Sequence, residues 1–266
     1  MAQLKFNQHY LRTALALAYG ARAAYSNDPG GDANFAALSW DTVKVFSNGQ
    51  TNTQGFVAAN ANNVLVSFRG TEPRQLEDWL TDLQYFYYKN KVGGGNVHHG
   101  FWTAWQSVRG KVVKQLETVA TNKQTIWFTG HSLGAALATL AARDMPKKFK
   151  PTAVNTFGSP RCGSPQYAKA YNVPARRFVN ENDIVTQVPL QGVFHRYKYD
   201  HVGQRQIMQA DGKITSSSAA WRRLLKEVAN VAVFGIGSAA TSSFKNHSMN
   251  KYIAKLTNHR ANRGRA

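Results

Sequence analysis

The stretch Gln124-Thr125-Ile126-Trp127-Phe128-Thr129, followed by Gly130-His131-Ser132-Leu133-Gly134, decides the fold of this chain. The first part is short, apolar and rich in β-branched and aromatic residues, which predicts a buried strand. The second part matches the pattern Gly-x-Ser-x-Gly, in which a serine occupies a sharp turn between a strand and a helix. Glycine at the two outer positions avoids collisions with the neighbouring strand and helix. We therefore predict that the hydroxyl of Ser132 is exposed at the carboxyl edge of a sheet.

The residues after this turn favour a helix. Leu133, Leu137 and Leu140 recur at helical spacing among alanines, which are small enough for a helix to lie close to a sheet. A strand, a turn and a helix in this order are the context that the motif requires. This context favours a nucleophilic serine over the alternative, a glycine-rich loop whose serine has no catalytic role.

Composition narrows the class of protein. The 266 residues are 43% hydrophobic and 18% charged, which is ordinary for a globular chain. No apolar run approaches the roughly 20 residues that span a bilayer. The formal net charge of +19 predicts a surface that attracts anions such as phospholipid head groups, nucleic acid or polyanionic polymers. The basic residues are scattered and not interleaved with aromatic residues, so we expect no specific nucleic-acid partner.

Helical and strand patterns alternate along the chain, which predicts an α/β fold with a mostly parallel sheet covered on both faces. We find no linker or repeat, and we predict one domain over residues 1–257 and a basic, disordered tail over 258–266. Besides the helix after the serine turn, the predicted helices cover 10–25, 76–83, 101–120, 221–228 and 249–256. The predicted strands cover 42–46, 55–58, 63–68, 124–129, 153–157 and 177–179, and a hairpin joins 194–199 to 204–208 around His201.

A nucleophilic serine needs a base, and the base needs an acid that orients it. On a fold of this kind the order is serine, acid and histidine, each following a strand. Asp183 comes soon after the strand Arg177-Phe178-Val179, where such an acid belongs, and Glu181 is the nearest alternative. Asp144 lies on the helix of the serine turn and comes too early in the chain.

The candidate base is His247, which lies in a polar loop just before the final helix. A loop position lets the imidazole reach from the acid to the serine. His201 is the alternative, and there we expect the ring to hold a hairpin turn by a hydrogen bond. His259 falls in the predicted tail.

Hydrolysis by a serine also needs two donors for the oxyanion. One is the backbone N–H of Leu133, directly after the nucleophile. The other is expected from the loop after the third strand, where Thr71 offers both an N–H and a hydroxyl. The alternative is that Thr71 only stabilises an ordinary turn at the strand end.

Six motifs in register resemble those of the fungal-type, or class 3, lipases, over roughly residues 15–256. They are Phe68-Arg69-Gly70-Thr71, Val97-His98-His99-Gly100-Phe101, Gly130-His131-Ser132-Leu133-Gly134, Asn155-Thr156-Phe157-Gly158-Ser159-Pro160, Asn182-Asp183, and His247 with Tyr252. The resemblance implies an α/β-hydrolase fold and hydrolysis of carboxylic esters without a metal or cofactor. It also implies a Ser132–Asp183–His247 triad, with Thr71 as the side-chain oxyanion donor.

The resemblance further implies a lid directly after Thr71. Leu76, Trp79, Leu80 and Leu83 form one apolar stripe at helical spacing, which suits a lid. The alternative is a permanently packed surface helix. Two features depart from the secreted fungal members: the single Cys162 precludes an internal disulfide, and the stretch 216–240 before His247 is longer and more apolar. We see no signal peptide, so we expect a cytoplasmic protein, or one released without such a signal, that is peripheral to a membrane.

The leading functional hypothesis is a serine ester hydrolase acting on lipid esters. Two alternatives remain open at this point. One is a phospholipase A-type acyl hydrolase on anionic phospholipids, which the charge favours. The other is a basic membrane-binding protein on a hydrolase scaffold, which would have no need of a complete triad.

The first testable prediction concerns an anionic membrane surface as a partner. Trp221-Arg222-Arg223-Leu224-Leu225-Lys226 leads into an apolar run to Phe234, the pattern of a basic amphipathic helix. We expect the protein to bind vesicles containing phosphatidylglycerol well above neutral vesicles, and to lose much of this binding in high salt. Vesicle co-sedimentation measures both effects. Equal, salt-insensitive binding to both vesicle types would mean that this segment packs on the sheet with its basic face in water.

Overall fold

The computed structural model describes residues 10–72, 75–76, 79, 88–181, 183–189, 198–216 and 245–263, with the backbone alone for 88–91 and 260–263. The strands within them are β1 (Thr42–Asn48), β2 (Thr53–Ala59), β3 (Asn63–Phe68), β4 (Tyr88–Val92), β5 (Gly95–His98), β6 (Thr125–His131), β7 (Pro151–Phe157), β8 (Ala175–Asn180), β9 (Gln204–Met208) and β10 (Ile214–Thr215). Eight of them form one sheet in the order β1-β2-β3-β6-β7-β8-β9-β10.

The middle of this sheet is parallel. Strands β3, β6, β7, β8 and β9 run in one direction, while β1, β2 and β10 are antiparallel to their neighbours. In the register, Phe68 pairs with Gly130 and His131 pairs with Phe157. The carboxyl ends of β3, β6, β7 and β8 therefore meet at one edge. The loops that follow these four strands therefore lie close together at this edge.

Helices cover both faces of the sheet, as predicted. They are α1 (Tyr10–Ala23), α2 (Ala33–Ala36), α3 (His99–Val119), α4 (Leu133–Asp144), α5 (Pro165–Ala170) and α6 (Met249–Arg263). One apolar core lies between the sheet and α3 with α4, and includes Trp105 and Leu140. The other lies between the sheet and α1 with α6, and includes Leu17 and Tyr252. None of the helices in the described ranges has both the length and the apolar character needed to cross a membrane.

Asp144, the acid that comes too early in the chain to orient a base, has a structural part. Its Oδ2 accepts hydrogen bonds from Trp105 Nε1 at 2.8 Å and from Arg109 Nε at 2.7 Å. Both donors lie on α3, and Asp144 ends α4. The carboxylate thus ties the two helices together on one face of the sheet.

The predicted hairpin around His201 is wrong in the part that the structure describes. Strand β9 pairs in parallel with β8 and antiparallel with β10, and Asp200 instead forms an isolated bridge with Gly163. The alternating pattern of 204–208 correctly indicated a strand, but pattern alone does not choose the partner. Pairing with the edge of β8 gives β9 a parallel ladder over all of its residues, from Gln204 to Met208.

The predicted disordered tail is also wrong for residues 258–263, because α6 continues to Arg263. No glycine or proline interrupts residues 249–263, so nothing in the local sequence ends the helix earlier. Lys255 Nζ donates to Met208 O at 2.9 Å, and His259 Nδ1 lies 3.0 Å from Gly212 O. These contacts anchor the helix to the loops at the end of β9.

A two-stranded hairpin, β4 with β5, was not predicted from the sequence. Gly93 and Gly94 have φ angles of 53° and 93° and make the two-residue turn between the strands. Glycine is favoured there because both positions of such a turn need positive φ. Leu80, Leu83 and the predicted amphipathic segment within 216–240, apart from Ser216, lie outside the described residues.

Candidate active site

Ser132 joins β6 to α4 in a conformation that few non-glycine residues adopt. Its φ and ψ are 58° and −129°, and its N–H donates to Phe157 O at 3.1 Å. The side chain makes no capping hydrogen bond to α4. The strained turn thus aims the hydroxyl at the sheet edge without committing it to the backbone. Contrary to prediction, Ser132 is fully buried in this structure.

Three glycines make this turn possible. A Cβ on Gly130 would lie 2.2 Å from Gly134 O, and a Cβ on Gly134 would lie 2.2 Å from Phe68 O. The motif's outer glycines therefore let α4 start directly against β3, as the sequence predicted. A Cβ on Gly70 would lie 3.0 Å from Ser132 Cβ. This close approach of the loop after β3 explains why the serine is buried.

His247 and Asp183 form a buried pair. His247 Nδ1 lies 2.8 Å from Asp183 Oδ2 and 3.0 Å from Oδ1. Because an ionised carboxylate can only accept, Nδ1 carries the proton in this pair, and Nε2 is left with its lone pair. Nε2 is buried and has no hydrogen-bond partner in the described part of the chain. The geometry thus leaves Nε2 available as a base.

Further donors hold the carboxylate of Asp183. Val185 N–H donates to Oδ1 at 3.0 Å, and the hydroxyl of Tyr252 donates to Oδ2 at 2.6 Å. The same hydroxyl accepts from Asn180 N–H at 2.9 Å. Burial, together with the charge of Asp183, raises the pKa of Tyr252 well above its ordinary value, so this phenol keeps its proton and remains a donor. Sequence reasoning had named Tyr252 only through the family resemblance.

The end of β7 brings the pair and the serine to the same place. Phe157 O accepts from Ser132 N–H, and the next residue, Gly158, has a φ of 58°. A Cβ on Gly158 would lie 2.8 Å from His247 Nδ1 and 2.9 Å from Asp183 Oδ2. Ser132 Oγ, like His247 Nε2, is buried without a partner among the residues described here. No hydrogen bond joins the two atoms in this structure.

The two predicted oxyanion donors flank Ser132. Leu133 is the first residue of α4, so its N–H has no partner within the helix. Thr71 follows Gly70, the residue that contacts Ser132. The Thr71 hydroxyl oxygen is buried and has no hydrogen-bond partner within the described ranges. Both groups are therefore free to donate to a ligand.

A cavity of about 590 Å³ opens beside Thr71 and His247. Among the residues that line it are Tyr25, Thr71, Leu76, His131, His247 and Met249. Of the predicted lid residues, Leu76 is 5% exposed and packs in the core, and Trp79 is partly buried with its ring 6.3 Å from that of Phe101. Their role as a lid stays a prediction.

The alternative acid and base lie elsewhere. His201 Nε2 is 2.8 Å from Thr186 O, and burial, with a smaller effect from Arg177, lowers the pKa of this ring well below its ordinary value. His201 thus holds two loops together and stays neutral. Glu181 accepts a hydrogen bond from Ala210 N–H at 2.7 Å. Burial raises the pKa of Cys162 to about 12, which keeps the thiol protonated and unreactive.

A family model and several known lipase sequences are similar to this chain. The family model described as Lipase (class 3) matches residues 65–193. A secreted mono- and diacylglycerol lipase A from Penicillium cyclopium is 31% identical over 230 residues, which cover 83% of this chain and 72% of the relative. A chloroplastic phospholipase A(1) from Arabidopsis thaliana is 32% identical over 152 residues, covering 48% of this chain and 34% of the relative.

Solved structures share the fold. A mutant form of MDLA from Penicillium cyclopium superposes with a TM-score of 0.65 at 26% identity, covering 81% of this chain and 86% of that chain. Rhizomucor miehei triacylglyceride lipase superposes with a TM-score of 0.61 at 22% identity, covering 78% and 83% of the two chains. The mostly parallel sheet with helices on both faces is thus an α/β-hydrolase fold.

The second prediction tests the packing around Gly158. In Gly158→Ala the new methyl group collides with His247 and Asp183, and we expect ester hydrolysis to fall on the order of a hundredfold because the imidazole is displaced. Gly212→Ala is the matched control, since Gly212 also has a positive φ, 79°, but nothing lies within 4 Å of its Cβ position. It should cost about 1 kcal/mol of stability and leave activity unchanged. Rates on a soluble nitrophenyl ester and melting temperatures measure both. Full activity in Gly158→Ala would contradict the geometry.

Proposed function

Because this chain belongs to the class 3 lipase family and is a serine ester hydrolase, we propose that Ser132, His247 and Asp183 are its nucleophile, base and orienting acid. The observation that carries this assignment is the buried hydrogen bond of 2.8 Å between His247 Nδ1 and Asp183 Oδ2. It fixes the imidazole tautomer, so Nε2 is the atom free to take a proton. Ser132 Oγ is the one hydroxyl of the Gly-x-Ser-x-Gly turn at the same sheet edge.

In the first half of the reaction, His247 Nε2 takes the proton of Ser132 while Oγ forms a bond to the ester carbonyl carbon. The carbonyl oxygen becomes an oxyanion, which accepts hydrogen bonds from Leu133 N–H and from Thr71. Each such donor is worth about 3–4 kcal/mol of barrier in comparable enzymes. The intermediate then expels the alcohol, which takes the proton from Nε2, and the acyl group remains on Ser132.

In the second half, water replaces the alcohol. His247 Nε2 takes a proton from a water molecule while the oxygen of that water attacks the acyl carbon. The proton then passes to Ser132 Oγ when the carboxylic acid leaves. In both halves His247 is transiently an imidazolium. The carboxylate of Asp183, which Tyr252 and Val185 hold in place, stabilises that charge.

The substrate is a lipid ester, and we propose an acylglycerol as its class. The cavity at Thr71 and His247 has apolar walls at Leu76 and Met249, which suit an acyl chain. A relative that matches 83% of this chain is named a mono- and diacylglycerol lipase. A phospholipid is the second candidate, because the net charge of +19 favours anionic head groups and a phospholipase A(1) is among the relatives.

The third prediction separates these substrates. Rates on a short-chain nitrophenyl ester, an acylglycerol emulsion and anionic phospholipid vesicles are measured side by side for the native protein and for Ser132→Ala. We expect acylglycerol to be hydrolysed fastest, and Ser132→Ala to lose several orders of magnitude on all substrates while it keeps its melting temperature. Faster release of fatty acid from phospholipid would favour the second candidate.

The fourth prediction assigns the base. His247→Ala should abolish hydrolysis, because no other described histidine is paired with Asp183. His201→Ala should mainly lower stability, because it removes the bond to Thr186 O. Steady-state rates and thermal unfolding of both variants provide the measurement. An inactive but stable His201→Ala, beside an active His247→Ala, would reverse the assignment.

A further inference from the structure

We propose that His131 and Tyr25 form a positioning pair that holds the base, His247, in register with the nucleophile. This inference rests on the proposed triad and adds two residues to it. His131 directly precedes Ser132, and no catalytic role was predicted for it from the sequence. The structure instead places both ring nitrogens in hydrogen bonds. Nε2 lies 2.6 Å from the backbone oxygen of His247, and Nδ1 lies 2.8 Å from the hydroxyl of Tyr25.

The chemistry of these partners fixes each proton. A backbone carbonyl can only accept, so His131 Nε2 carries the proton and donates to His247 O. In the neutral ring Nδ1 is then an acceptor, and the Tyr25 hydroxyl must donate to it. Burial raises the pKa of Tyr25 far above its ordinary value, and burial, then the nearby His247, lowers the pKa of His131. The pair is therefore a neutral, directed chain from Tyr25 to the main chain of the base.

This chain acts on the part of His247 that Asp183 does not reach. Asp183 binds Nδ1 at the tip of the side chain, whereas His131 binds the backbone oxygen of the same residue. The two rings also lie against each other, with centroids 4.3 Å apart and planes 31° apart. Because His131 is bonded covalently to Ser132, its ring transmits the position of the nucleophile to the base. The distance from Ser132 Oγ to His247 Nε2 thus depends on His131.

Tyr25 fixes the position of the His131 ring through its other nitrogen, Nδ1. A Cβ on Gly70 would lie 2.3 Å from the Tyr25 hydroxyl oxygen and 2.5 Å from His131 O. The hydroxyl is therefore wedged between the oxyanion loop and the serine turn. Without its donor, Nδ1 of His131 would be a buried acceptor with no partner, and the ring would be free to turn away from His247 O.

A different role for Tyr25 and His131 would be direct contact with substrate. Both residues line the cavity. A contact with substrate would act through KM, whereas a positioning role acts on proton transfer and therefore on kcat. The kinetic constants discriminate between the two.

The fifth prediction tests the pair with Tyr25→Phe, which removes one oxygen atom and keeps the ring. We expect kcat to fall roughly tenfold to a hundredfold, with KM changed less than about twofold. His131→Phe should lower kcat at least as much. The double variant should be no slower than His131→Phe, because both residues act through one chain. Tyr171→Phe is the control: it removes a buried tyrosine hydroxyl that donates to Thr139 O at 2.9 Å on α4, and it should lose stability but not kcat.

A spectroscopic measurement accompanies the kinetics. The low-field proton resonance of His247 Nδ1–H should shift in Tyr25→Phe and His131→Phe and not in Tyr171→Phe. A raised KM with unchanged kcat in Tyr25→Phe would show that the pair binds substrate, and unchanged kinetics with an unmoved resonance would show a structural role only. Either result overturns the inference while leaving Ser132→Ala inactive. An active Ser132→Ala would instead overturn the proposed function itself.

Discussion

The site depends on one steric constraint, the close approach of three backbone segments at Ser132. Gly130 faces the first turn of α4, Gly134 faces the end of β3, and Gly70 faces the serine itself, each where a Cβ would lie 3.0 Å or less from another atom. Since no side chain separates these segments, the serine is forced to a φ of 58°, and the loop after β3, which carries Thr71, is held against it. A bulkier residue at any of the three glycines would move Ser132, the proposed nucleophile, away from Thr71 and His247.

Packing this close leaves some polar groups buried and unpaired. Ser132 Oγ, Thr71 Oγ1 and His247 Nε2 have no hydrogen-bond partner in the described ranges. Each such group costs about 1–3 kcal/mol of stability. By contrast, Asp183 accepts from His247, Val185 and Tyr252. The protein thus satisfies the carboxylate of Asp183 and leaves unsatisfied the groups that are proposed to act on the ester, which is the arrangement expected of a preorganised site.

Much of this was predictable from sequence because local patterns dictate it. The strand, turn and helix around Ser132 follow from hydrophobic spacing and two glycines, and the acid and base candidates follow from chain order. Partners distant in sequence were not predictable. Strand β9 pairs with β8 instead of forming a hairpin at His201, and α6 runs on to Arg263 because tertiary contacts anchor it. The bonds from His131 to Tyr25 and to His247 O join residues 106 and 116 positions apart, and no local signal indicates them.

The central claim is that Ser132 is the nucleophile activated by His247. The most direct measurement is reaction with a fluorophosphonate, followed by proteolysis and mass spectrometry of the modified peptide. We predict one adduct per chain, on Ser132, at a rate that falls by orders of magnitude in His247→Ala although Ser132 is still present. An adduct on another residue, or labelling of Ser132 at an unchanged rate without His247, would contradict the account.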